Sequence, residues 1–158
     1  MDILKLKFLT ADSLELLGEL ESNSVARWGV MNVQEMTEHL ADFNNISSEK
    51  SPCKLFTSEE HLPAYKAFLL SDKAFRENTK APTELLGDEP RPLRFSSLSE
   101  AKEDLNKAVN NFVEYFKDYE AKKSLHPVFG MLNFEEWILL HYKHVQHHLK
   151  QFDLLKAG

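Results

Sequence analysis

From Leu98 onward, apolar residues recur at helical spacing: Leu98, Ala101, Leu105, Ala108, Phe112 and Phe116, with charged and amide side chains between them. This spacing predicts a long helix with one buried stripe, reaching about Lys122. Ser97 and Glu100 stand where a capping box would open it. The same periodicity places helices over Ala11–Glu21, with Leu14, Leu17 and Leu20 on one side, and over Val33–Ser47. Asn32 and Glu35 form a capping box for the latter, and Asn133 and Glu136 another for a last helix ending near Leu155. A shorter helical piece spans Ser58–Leu70, where Pro63 kinks it or marks its first turn. Pro82, Pro90 and Pro92 exclude a long helix from Ser71 to Ser96.

No sustained alternation of period two occurs, and HPVFGML reads as a turn, so a sheet protein is not expected. The expected fold is all-α: one domain over residues 1–158, a four-helix bundle with a long, partly irregular crossover between the second and third helices. A connection as long as Ser48–Ser96 in a compact domain is functional or packs over a site.

Composition narrows the partners. The chain of 158 residues is long enough for one domain with a real core. A net charge of −6, with lysines scattered rather than striped, argues against nucleic acid and anionic membrane surfaces. Charges interrupt the apolar residues of MDILKLKFLT, so neither a secretory h-region nor a membrane span is expected. Cys53 is the single cysteine, which rules out an intrachain disulfide and fits a reducing, cytoplasmic compartment.

The chemistry concentrates in LHYKHVQHHLKQF, Leu140–Phe152, which holds four of the seven histidines. At about 100° per residue, with Phe134 at zero, Ile138, Val145, Leu149 and Phe152 fall within about 60° of the origin. His141, His144 and His148 fall at about 340°, 280° and 320°, inside the apolar stripe. His147, at about 220° among Lys143, Lys150 and Leu154, reads as solvated. On the second helix, His39 sits at the edge of the side defined by Val33, Met36, Leu40 and Phe43. The i, i+4 spacing of His144 and His148 stacks their rings on adjacent turns, and His39 from a facing helix can complete a three-histidine site. Three protein ligands with open positions is the arrangement of a catalytic metal centre. A single histidine on an apolar face is usually a core residue with satisfied nitrogens. Several on one stripe are harder to satisfy without a shared cation.

RWGVMNVQEMTEHL, a tryptophan loop leading into a capped helix with a histidine, resembles the second-helix signature of the DinB/YfiT-like metalloenzyme superfamily. EEWILLHYKHVQHHLKQF resembles its last helix, and HPVFGMLNFEEW is similar to the lead-in of one uncharacterised branch. The resemblance covers both ends of the chain and leaves Ser48–Ser96 unmatched. It implies a four-helix bundle holding a divalent ion, zinc or nickel, through His39, His144 and His148. Characterised members are thiol-dependent transferases and an isomerase, which implies a low-molecular-weight thiol cosubstrate. Members are often dimers, which implies a homodimer here.

An ion of this kind lowers the pKa of a coordinated water or holds a thiol in its ionised form. His141 is open as a fourth ligand, a proton shuttle or, the favoured role, a group orienting the ligands from behind. Glu35, Gln151 and Asp42 are candidates for that orienting role too, with exposure on a helix flank the plainer role for the acids. Trp28 and Trp137 are candidate pocket walls or plain core. Absence of HExxH and of Glu-x-x-His excludes a zincin protease and argues against a carboxylate di-iron site. Cys53, in SPCKLF, has no histidine near it in sequence, and His126 before Pro127 reads as a turn residue. The resulting expectation is a metal-dependent enzyme acting on a small molecule, by thiol-dependent transfer or hydrolysis. Its rivals are a non-catalytic metal-binding or stress-response protein and a bundle with core histidines only.

Overall fold

The computed structural model describes residues 1–79, 90–118 and 121–156. The chain opens with α1 (Ile3–Lys7), passes through a π-helical turn at Phe8–Asp12, and continues as α2 (Ser13–Gly18). This helical arm therefore starts earlier than the leucine spacing indicated. Asp2 sets its beginning by accepting from the Lys5 backbone N–H at 3.0 Å. α3 (Val33–Ser47) follows, then a short 3₁₀ turn at Glu59–His61 leading into α4 (Leu62–Leu70), with Pro63 in its first turn. α5 (Leu98–Phe116) ends sooner than expected; residues 119–120 of the anticipated helix lie outside the described residues, as does Pro82.

The all-α four-helix bundle expected from the sequence is not what forms. Between α5 and the final helix, β1 (Lys123–His126) and β2 (Gly130–Asn133) pair as an antiparallel hairpin, so the fold is mixed. Its register sets Ser124 opposite Leu132 and His126 opposite Gly130. The hairpin escapes a hydrophobic-pattern reading because Leu132 alone follows the usual alternation. Ser124 and His126 are buried, while Met131 is exposed. Hydrogen bonds compensate the buried polar side: Ser124 Oγ donates to the Ser47 carbonyl at 2.7 Å, and the Phe56 N–H donates to the Pro127 carbonyl at 2.7 Å. Gly130, at φ +82°, turns the strand where a side chain would press on Leu62.

α6 (Phe134–Gln151) completes the chain. Both α3 and α6 open with full capping boxes: Asn32 and Asn133 each accept from the backbone N–H of Glu35 and Glu136, whose carboxylates accept in return. At α5 only half of the motif forms. Ser97 Oγ accepts from the Glu100 N–H, but the Glu100 carboxylate takes its proton from Ser96 Oγ instead. α3 packs chiefly against α5, and α6 packs on α3, α4 and the N-terminal helical arm, so Met36, Phe112, Trp137, Ile138 and Leu149 share one core. Truncating Phe112 to alanine in such a core costs about 3–5 kcal/mol. No helix among the described residues is long and apolar enough to cross a membrane.

Candidate metal centre

The core stripes of α3 and α6 meet with three imidazoles between them. His39 Nε2 lies 2.9 Å from His144 Nε2, which lies 3.1 Å from His148 Nε2. One ring nitrogen from each residue falls within 4.8 Å of the other two. A tetrahedral ion with metal–nitrogen bonds of about 2.0–2.1 Å would hold such nitrogens about 3.3–3.4 Å apart, so small ring rotations suffice to admit one. The three histidines can hold a metal ion.

The surroundings of His148 set which of its nitrogens carries the proton. Gln151 is buried, and its Nε2 donates to the Trp28 carbonyl at 3.0 Å, which fixes the orientation of the amide. Its Oε1 then faces His148 Nδ1 at 2.7 Å and can only accept. The proton of His148 therefore sits on Nδ1, and the Nε2 lone pair points at the cluster. A proton on His144 Nε2 serves the two short contacts. With that proton on Nδ1 instead, three lone pairs converge.

Burial keeps these rings neutral. It draws the pKa of His39 down to about 4, with the charges of Arg91 and His147 adding to the effect. Burial also holds His144 and His148 well below the ordinary imidazole range, and their neighbouring histidines push the same way. Neutral imidazole is the form that ligates.

The remaining candidates separate. His141 faces away from the cluster: its Nε2 lies 2.9 Å from Ser47 Oγ, whose own proton goes to the Asn44 carbonyl at 2.8 Å. His141 therefore donates, and with its ring stacked on Trp137 it is a satisfied core histidine. Glu35 serves the α3 cap, although it also borders the cavity beside the cluster. Gln151 is the candidate that touches a cluster histidine. His147 is not simply solvated; it is half-buried, with its ring edge-on to Trp28 and Phe75.

A cavity of about 540 Å³ opens beside the three histidines. Trp28 and aromatic residues such as Phe43, Tyr65 and Phe129 surround it, and Trp137 lies against it with no exposed surface, as a core residue does. Of its polar wall, Glu35 and Asp42 were anticipated, as carboxylates behind His39, but Glu38 and the arginines were not. Buried Glu38 accepts from the Arg94 N–H at 2.7 Å and from Gln34 Nε2 at 3.0 Å, and Asp42 pairs with Arg94 Nη1 at 2.7 Å. Burial pushes the Asp42 carboxyl up, against the opposing pull of Arg94 and Arg91. Arg91 and Arg94 come from the proline-bearing crossover, where no local periodicity could announce them. A buried glutamate at Glu38 is the one sequence signal, since it lies one helical turn from Asp42 and one residue from His39. His126 shapes the hairpin turn, its Nδ1 accepting from the Val128 and Phe129 N–H groups at 2.9 and 3.2 Å.

No curated protein and no solved structure matches the chain. One family model, described as "Protein of unknown function (DUF1569)", matches residues 4–154, which take in the histidine cluster, the Trp28 loop and the hairpin. The chain belongs to the DUF1569 family.

Proposed function

We propose that this protein is a metal-dependent enzyme that binds a divalent ion, zinc or nickel, through His39, His144 and His148 and acts on a small molecule in the adjoining cavity. The observation that carries this reading is the Nδ1–H of His148 held by Gln151, which aims a bare Nε2 at two further imidazole nitrogens. A core histidine needs its polar atoms satisfied. Here the orienting contact lies behind the ring, and the front nitrogens meet only one another. An ion in this place supplies Lewis acidity toward a water or thiol. The chain's own residues bind and orient: Gln151 fixes His148, Arg94 neutralises Asp42 and Glu38, and the aromatic wall offers apolar contact. The likeness of the Trp28 loop and the last helix to the DinB/YfiT-like superfamily supports the same three ligands and favours a thiol cosubstrate, with transfer or hydrolysis as the reaction.

Metal content of protein purified without a histidine tag tests the site. One ion per chain, lost in His39→Ala, is expected; no stoichiometric ion would end the reading. A screen of low-molecular-weight thiols and esters with the metal-loaded protein then tests for turnover. No turnover with any divalent ion would leave a binding protein in place of an enzyme.

A further inference from the structure

Lys143 and His147 each stand one residue ahead of a cluster histidine, so α6 carries two neighbouring rows of side chains about 100° apart. The row of His144 and His148 supplies two of the three cluster nitrogens. The row of Lys143 and His147 reaches instead to residues 71–79, the segment that follows α4. Lys143 Nζ donates to the Ser71 carbonyl at 2.6 Å and also to the Lys73 carbonyl, with its charge 5.0 Å from the centre of the Phe68 ring. His147 meets the Phe75 ring edge-on at 6.0 Å, and Phe75 packs against Phe68 at 5.2 Å.

The segment holds itself only weakly. It contains no helix or strand, and all of its residues but Ser71 and Phe75 are exposed. Its own hydrogen bonds are short-range: Ser71 Oγ donates to the Phe68 carbonyl and accepts from the Lys73 N–H, and Thr79 donates to the Arg76 carbonyl. A stretch with so few buried contacts opens at a lower free energy than the fold as a whole. Yet Phe75, Asn78 and Thr79 line the cavity that also holds the three histidines.

We propose that residues 71–79 form a strap along the cavity that opens to admit and release what binds at the three histidines, and that Lys143 is the positioning residue that holds it shut. This rests on the reading of the cluster as a metal centre. An ammonium suits the task, because one Nζ offers three N–H groups and can tie two carbonyls of the segment at once. Hydrogen bonds from a charged donor are the stronger kind, and losing them should favour the open strap about tenfold to hundredfold.

The test compares full-length wild type with Lys143→Met, which keeps an apolar stem beside Phe68 and loses both hydrogen bonds. Lys150→Met, the same loss of charge from the same helix, is the control. In metal-free protein, trypsin should cut after Arg76 about tenfold to hundredfold faster in Lys143→Met, with the urea midpoint little changed. In zinc-loaded protein, release of zinc to an excess of a chromophoric chelator should speed by a similar factor. Zinc uptake should speed equally, so the Kd stays within about threefold of wild type. A damaged site would change the Kd; a loosened strap changes both rates together. Phe75→Ala should speed exchange in the same way, and it decides the matter if Lys143→Met fails to fold. Cleavage after Arg76 at the wild-type rate overturns the role of Lys143. Faster cleavage with unchanged zinc exchange overturns the strap, as does equal acceleration in Lys150→Met. Zinc stoichiometry of the wild type reads the metal centre separately. If no zinc binds, acrylamide quenching of Trp28 takes its place, since Trp28 borders the cavity, meets His147 edge-on at 5.6 Å, and Trp137 is fully buried. Quenching should rise in Lys143→Met, and quenching at the wild-type level overturns the strap.

Discussion

Gln151 Oε1 receives the Nδ1 proton of His148 at 2.7 Å, and this contact sets the orientation of the imidazole within the cluster. Replacing Gln151 with alanine removes the acceptor and frees both tautomers of His148. Groups that orient a ligating histidine in this way change metal affinity about 10–100-fold when removed. Gln151→Ala should weaken zinc binding by that factor, measured by competition with a chromophoric chelator, while the far-ultraviolet spectrum stays helical. Unaltered affinity would show that His148 is held by packing alone.

Gly29 stands behind the same contact. Its φ of +83° suits glycine, and a Cβ there would lie 2.7 Å from Gln151 Nε2. Gly29→Ala should therefore lower stability by about 1–3 kcal/mol and weaken metal binding in parallel. Gly18 is the control: it ends α2 with nothing within 4 Å of the place a Cβ would take, so alanine there should be neutral or stabilising by up to about 1 kcal/mol. Chemical denaturation of the two variants, side by side, checks the contrast.

The three histidines were legible in the sequence because helix phase is a local property. His144 and His148 share a face at i, i+4, and α3 has the boundaries its capping box announced. The hairpin was not legible, since Ser124 and His126 turn inward and Met131 outward, the reverse of the usual pattern. His141 has nearly the same phase as His144 and His148. Only the long-range placement of Ser47 and Trp137 shows that it is satisfied within the core. The solvated reading of His147 failed for a similar reason: Phe75 and Trp28, both outside regular structure, fold over it. Arg91 and Arg94 reach the cavity through tertiary contacts that carry no local signature.

Acid should destabilise the fold early. Burial lowers the pKa of His126 and His141 to about 3 and of His39 to about 4, whereas an unfolded chain titrates its histidines near about 6.5. Between these limits the unfolded state binds more protons than the folded one. The stability these groups contribute is fully present above pH of about 6.5 and is lost as pH falls toward their folded values, at up to about 1.4 kcal/mol per pH unit for each. The urea midpoint of metal-free protein should drop from pH 7.5 to pH 5. A midpoint that stays level over that range would contradict the buried, neutral assignment.

His141 and His144 are three residues apart on one helix, and exchanging each for alanine should produce opposite failures. His144→Ala removes the nitrogen that lies within 3.1 Å of both other ring nitrogens, so stoichiometric metal should be lost. Its effect on the stability of metal-free protein should be modest, because a half-buried ring is removed whose polar contacts are to two other imidazoles. His141→Ala instead opens a void against Trp137 and Phe112 and leaves the buried Ser47 hydroxyl without its donor. The loss should be about 2–4 kcal/mol, with one ion per chain retained at low temperature. Metal analysis and denaturant titration on both variants decide the matter. If His141→Ala loses the ion at a temperature where it remains folded, His141 takes part in binding, and its bond to Ser47 is not its resting role.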